Sequence, residues 1–139
     1  PLNRSFTYRF HQLSKLSDPI SHQAYLEEAG LSLSDGRCLS TIGSFEPLSV
    51  KDLAQLSNLN KSQASRAAQS LVDRGLVIKQ GSEADGRGVV LMLSPEGRSR
   101  WEATVRLIAR RNRDIFGCLN ARELATLDRL LDRLVHLGH

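Results

Sequence analysis

Residues 49–74 read SVKDLAQLSNLNKSQASRAAQSLVDR. Two helix starts stand out. Ser49 lies three residues before Asp52, and Asn60 three before Gln63, so each can cap a helix while the later side chain turns back toward the cap. The first helix is short, 50–57. The second runs to Arg74, where Gly75 is well placed to stop it. The polar turn Ser57–Asn60 between them predicts a helix-turn-helix. On the second helix Ala64, Ala67, Ala68, Leu71 and Val72 form one side, small near the start and larger near the end, which allows close packing. Lys61, Ser62, Ser65, Arg66 and Gln69 lie on the other side, and 62, 65, 66 and 69 share a face by their spacing. That face holds no carboxylate before Asp73. A merely solvated helix face mixes acids with bases. This one offers groups that pair with guanine and adenine edges and with phosphates.

Outward from this stretch, Leu76–Gln80 and Val89–Leu93 are strand candidates joined as a hairpin. Between them GSEADGRGVV, residues 81–90, carries three glycines and, at Arg87, an arginine that a turn does not need. Ser94-Pro95 is a cap followed by proline, opening a helix from 95 to about 117. Asn120, with Glu123 three on, caps the last helix, where Leu124, Leu127, Leu131 and Leu134 make a one-sided stripe. Upstream, Phe6, Phe10, Leu13 and Leu16 have helical spacing within 4–28. Asp18-Pro19 predicts a kink or a split there, and Gly30 an end. Ser34 is the expected cap of a helix over 35–43 with Cys38, Leu39 and Ile42 on its apolar side, closed by Gly43 and Pro47.

The whole chain sets bounds on these readings. Its 139 residues suit one domain with a real core, and a net charge of +4 favours a polyanionic partner. Hydrophobic residues make up 40%, but no run approaches the ~18 apolar residues of a membrane span. The opening PLNRSFTYRF lacks a signal-like apolar centre. It starts on proline rather than methionine, so a few preceding residues are expected. Cys38 and Cys118 form neither a disulfide framework nor a zinc pattern, which fits a reduced cytoplasmic setting. His11, His22, His136 and His139 are scattered. No metalloprotease motif, phosphate loop or nucleophile elbow is present. The expectation is a non-enzyme with neither cofactor nor metal.

The stretch LSVKDLAQLSNLNKSQASRAAQSLVDRGLVIK, the Asp85-Gly86-Arg87 tip and VVLMLSPEGR together resemble the MarR family of winged helix-turn-helix regulators. The family pattern runs from a hydroxyl-rich recognition helix through Gly-Leu-Val and an Asp-x-Arg wing to a Leu-Ser-x-x-Gly helix start, here Leu93, Ser94 and Gly97. The resemblance implies a mainly α fold with a small β-hairpin wing: one domain over 1–139, dimerisation helices in 1–30 and 95–139, a winged helix-turn-helix lobe in 31–94, and a wing at 81–88. It implies a homodimer joined in part by Leu124, Leu127, Leu131 and Leu134, acting on pseudo-palindromic double-stranded operator DNA. The DNA-contacting set is then Ser49, Lys61, Ser62, Gln63, Ser65, Arg66, Gln69, Arg74, Asp85 and Arg87. In that set Arg87 enters the minor groove, Asp85 braces the wing, and Arg74 pairs with the wing or the backbone. Gly86 and Gly88 flank a single basic residue, a departure from relatives with two, and imply a looser wing.

Relatives are commonly repressors released by an aromatic or phenolic carboxylate or its thioester. Tyr8, Arg9, His11 and Arg37 are the candidate effector residues, since arginine clamps carboxylates. Gly36 stands where similar sequences often have tryptophan, implying extra room beside Arg37 for a larger ligand. Two alternatives stay open: a thiol-based redox regulator working through Cys38, and a helical structural domain that does not bind DNA.

Overall fold

The computed structural model describes residues 2–81 and 88–136. After one 3₁₀ turn at Leu2–Arg4, the chain forms α1 (Phe6–Ala29), α2 (Leu33–Phe45), α3 (Val50–Leu56), α4 (Lys61–Asp73), β1 (Val77–Gln80), β2 (Val90–Leu93), α5 (Pro95–Phe116) and α6 (Ala121–His136). The expected mainly α fold with a hairpin is what the chain adopts. The wing tip, with Asp85 and Arg87, lies outside the described residues.

Each helix start follows from a local polar side chain. The Tyr8 N–H donates to Ser5 Oγ, Asp52 N–H to Ser49 Oγ and Gly97 N–H to Ser94 Oγ. At α4 and α6 the arrangement is reciprocal: Asn60 with Gln63, and Asn120 with Glu123, each accept the other's backbone N–H. Gly30 ends α1 at φ +65°, a left-handed conformation that favours glycine.

Helix α2 departs from expectation at both ends. Ser32, not Ser34, is the cap; its hydroxyl accepts from the Asp35 N–H at 3.2 Å. An acid at the third helical position suits Ser32, whereas Ser34 has Arg37 there. At the other end Gly43 does not close the helix, which runs on to Phe45. A Cβ on Gly43 would sit 2.6 Å from Nε1 of Trp101 on α5. The glycine is there to let two helices approach. Pro19 neither splits nor ends α1, which is one helix through it. A proline costs a helix interior about 3 kcal/mol; packing of α1 on α2 and α5, with Ala24 and Tyr25 buried, offsets that cost.

The two strands pair antiparallel with Val77 opposite Leu93 and Gln80 opposite Val90. Leu48 adds a short third edge by exchanging backbone hydrogen bonds with Leu91. Ser94 Oγ donates to the Gly75 carbonyl at 2.6 Å, and a Cβ on Gly97 would lie 1.9 Å from the Leu76 carbonyl oxygen. The start of α5 is thereby pressed onto the turn that follows α4.

The core sits in the lobe. Leu31, Cys38, Leu39, Ile42, Leu53, Leu71 and Leu91 are fully buried and joined by Ala64, Ala67 and Ala68. The small side of α4 packs against α2 and α3. By contrast α6 has no buried residue, and the first half of α1 has none either.

Candidate nucleic-acid interface

The burial of Ala64, Ala67, Ala68 and Leu71 forces the opposite side of α4 into solvent, where Lys61, Ser62, Gln63, Ser65, Arg66 and Gln69 are all exposed. The structure thus brings this predicted group onto one surface. Their roles differ in detail. Arg66 Nη1 donates to Ser62 Oγ at 3.2 Å, so one nitrogen is anchored and the remaining guanidinium donors stay free. Gln63 Oε1 is engaged by the Asn60 N–H in the helix cap, leaving its amide nitrogen to project. Lys61 and Ser65 make no side-chain hydrogen bond within the described chain. Gln69 is held at both ends: its Nε2 donates to Asp73 Oδ1 and its Oε1 accepts from Lys79 Nζ, each at 2.8 Å. Lys79, on β1, was not among the sequence candidates. The short link Arg74-Gly75-Leu76 turns β1 back along α4, and that folding back is the signal that could have found it.

Ser49 and Arg74 serve the scaffold. The Ser49 hydroxyl caps α3. Arg74 Nη1 donates to the Gly30 carbonyl at 3.0 Å, fastening the end of α4 to the end of α1. Arg100, on α5, donates likewise to the Glu28 carbonyl and fastens the start of α5 to the end of α1. Arg111 pairs with Glu27 at 2.7 Å, and Gln23, then Arg111, hold the Glu27 carboxyl below the usual carboxylate range. These contacts bind the lobe and α5 to α1. Deeper in the lobe, Ser70 Oγ donates to Asp35 Oδ2 at 3.0 Å, locking α4 to α2.

The candidate effector residues are not gathered in one place within the chain. Arg37 pairs with Asp18 at 3.0 Å. Tyr8 lies ten residues earlier on the same helix, about 15 Å along its axis, and its hydroxyl accepts from Gln12 Nε2. Arg9 stacks on Phe6 and borders a groove of about 300 Å³ lined by Phe6, Phe10 and Leu13. His11 is exposed and does not line that groove. The extra room expected at Gly36 is taken: a Cβ there would meet the Tyr25 ring at 2.2 Å. Tyr25 is itself buried, with its hydroxyl on Ser40 Oγ at 3.1 Å. An aromatic ring does fill the site; α1 supplies it.

Cys38 is fully buried, and burial, the largest influence, pushes its thiol up to about 11, with Asp35 adding to the shift against the Ser57 hydrogen bond. A thiol so protonated near neutral pH is a poor oxidant sensor. Among the described residues no helix is long and apolar enough to cross a membrane.

Residues 29–88 match the model of the MarR family. A MarR family transcriptional regulator from Silicibacter pomeroyi DSS superposes with a TM-score of 0.84, covering 96% of this chain and 89% of its own at 26% identity. A MarR family protein of Mycobacterium tuberculosis, solved with salicylic acid, gives 0.75 at 22% identity over 94% and 96%; it is also known in complex with DNA. CouR from Rhodococcus jostii RHA1, bound to p-coumaroyl-CoA, gives 0.79 at 15% identity over 98% and 95%. At these lower identities the likeness speaks to the fold. No curated protein sequence matches significantly.

Proposed function

We propose that the chain is a transcriptional regulator of the MarR type, as the family match over residues 29–88 and the structural likeness support: a homodimeric, sequence-specific reader of double-stranded DNA whose grip is released by a small aromatic acid or its thioester. The observation that carries the DNA reading is the two-sided recognition helix. Its alanine side is sunk into the lobe, and its Lys61–Gln69 side is exposed and free of carboxylates. Arg66, anchored on Ser62, keeps donors for a guanine edge. Lys61 and Ser65 face outward for phosphates. Asp85 and Arg87 are the proposed wing contacts.

The homodimer is supported by apolar side chains that the single chain leaves in water. On α6, Leu124, Leu131 and Leu134 are 41%, 39% and 54% exposed, with Leu127 half-buried beside them. Phe6, Phe10 and Leu13 are exposed on α1. A 16-residue helix that buries nothing is marginal in water. A second copy related by a two-fold axis would cover the α6 face, wall the α1 groove from one side without filling it, and set two recognition helices toward a pseudo-palindromic site.

The effector reading is supported by the Phe6–Leu13 groove, with Arg9 on its rim to clamp a carboxylate. Tyr8 and His11 lie on the other side of α1 and do not line it; the two similar structures hold salicylic acid and p-coumaroyl-CoA. Arg37, tied to Asp18, would join only if that ion pair opened. We assign the chain a repressor's role, with release on effector binding.

Selection from a randomised duplex library tests the proposal. The full chain should enrich an inverted repeat with half-sites one helical turn apart, and Arg66→Ala should relax the choice within each half-site. An unenriched library would overturn it. Salicylate or its coenzyme A thioester should then weaken binding to the selected duplex in the parent chain and not in Arg9→Ala.

A further inference from the structure

We infer that Asp73 and Lys79 are positioning residues that fix the amide of Gln69 as the reader of one adenine–thymine pair in each half-site. The inference rests on the DNA-binding reading above and names how one position of the site would be read. Gln69 Nε2 donates to Asp73 Oδ1 and Gln69 Oε1 accepts from Lys79 Nζ, both at 2.8 Å. Chemistry dictates this orientation. A lysine ammonium can only donate and an ionised carboxylate can only accept. The amide oxygen must therefore face Lys79 and the nitrogen must face Asp73. Turning the amide over would set two donors against each other at one end and two acceptors at the other.

All three side chains are exposed, so the contacts add little to folding stability. What they do is restrict a long side chain that would otherwise sample many rotamers. Each end also keeps a free valence: a second N–H on Nε2 and a second lone pair on Oε1. A donor and an acceptor side by side are what adenine requires, through N7 and the N6 amino group in the major groove. A glutamine already held has less freedom left to lose on binding. The bracing comes from two directions, Asp73 one turn further along α4 and Lys79 on β1. Gln69 therefore links the recognition helix to the root of the hairpin. Arg66 on the same face is anchored at a single point and has no such brace.

The test uses the full chain and the duplex that it selects from a randomised library, with affinity measured for every single-base-pair variant of that duplex. The unmodified protein should prefer an adenine–thymine pair at one position per half-site on the order of tenfold, and Gln69→Ala should reduce that preference to about twofold or less. Lys79→Met and Asp73→Ala should flatten the same position. Lys79→Arg, which keeps a donor, should retain the preference. In a Gln69→Ala background Lys79→Met should cause no further loss of discrimination at that position. If Lys79→Met weakens every duplex by one common factor, or changes none, the inference is overturned and Lys79 is at most a phosphate contact. A duplex that is selected but has no position flattened by Gln69→Ala also overturns it while leaving the DNA-binding reading intact. Failure to select any duplex overturns both.

Discussion

The lobe built from α2, α3, α4 and the hairpin hides its large apolar residues, whereas α6 and the first half of α1 display theirs. In the lobe Leu39, Ile42, Leu53, Leu71 and Leu91 have no exposed surface. On the end helices Phe6 is 75% exposed and Leu134 54%. The spacing of apolar residues is equally helical in both regions. The difference is that the lobe closes on itself through consecutive elements, while α6 and the first half of α1 bury no side chain against the rest of the described chain. One region is complete as a single chain; in the proposed dimer a second copy completes the other.

Variants that break this contrast should differ in kind as well as size. The largest effect belongs to the lobe. Leu71→Ala leaves a cavity under the recognition helix and should cost about 2–5 kcal/mol, seen as a lower urea midpoint with loss of DNA binding. Leu131→Glu combined with Leu134→Glu should leave the lobe folded, as judged by the lobe's near-native amide exchange protection. Sedimentation should report a monomer, and affinity for a two-half-site duplex should fall about a hundredfold or more through lost avidity. Arg66→Ala should cost about 1–3 kcal/mol at one base position, read as relaxed choice with dimerisation unchanged.

The smallest effect concerns Cys38. Burial raises its thiol to about 11 from an ordinary value of 9.0. The folded state therefore holds this proton more tightly than the unfolded state does. The resulting stability is fully present below pH 9 and lost as pH rises toward 11. Melting temperature should fall across that window in the parent chain and fall less in Cys38→Ser. Peroxide should leave DNA binding of both unchanged; release that depends on Cys38 would revive the redox reading.

The features legible in the sequence were the local ones. Caps at Ser49, Asn60, Ser94 and Asn120 involve residues three apart, so spacing alone exposes them. The two faces of α4 follow from helical periodicity. The misreadings share a cause in distance. Gly43 looks like a stop until Trp101, on another helix, is seen against it. Gly36 looks like vacant space until the Tyr25 ring fills it. The pairing of Leu48 with Leu91 and the bridge from Gln69 to Lys79 also join separate elements. The cap at Ser32 is the exception. Asp35, three residues on, made it readable, and Ser34 was the weaker choice by the same rule.

The proposed function is that the exposed face of α4, presented twice by a dimer, grips duplex DNA. Its most direct measurement is the affinity of the full chain for duplex from upstream of its own gene, followed across salt concentration. Two chains should bind per site, with an affinity that falls steeply and linearly on a log–log plot, the slope being on the order of several phosphate contacts. No binding to any such fragment at low salt would contradict it and leave the chain a helical structural domain.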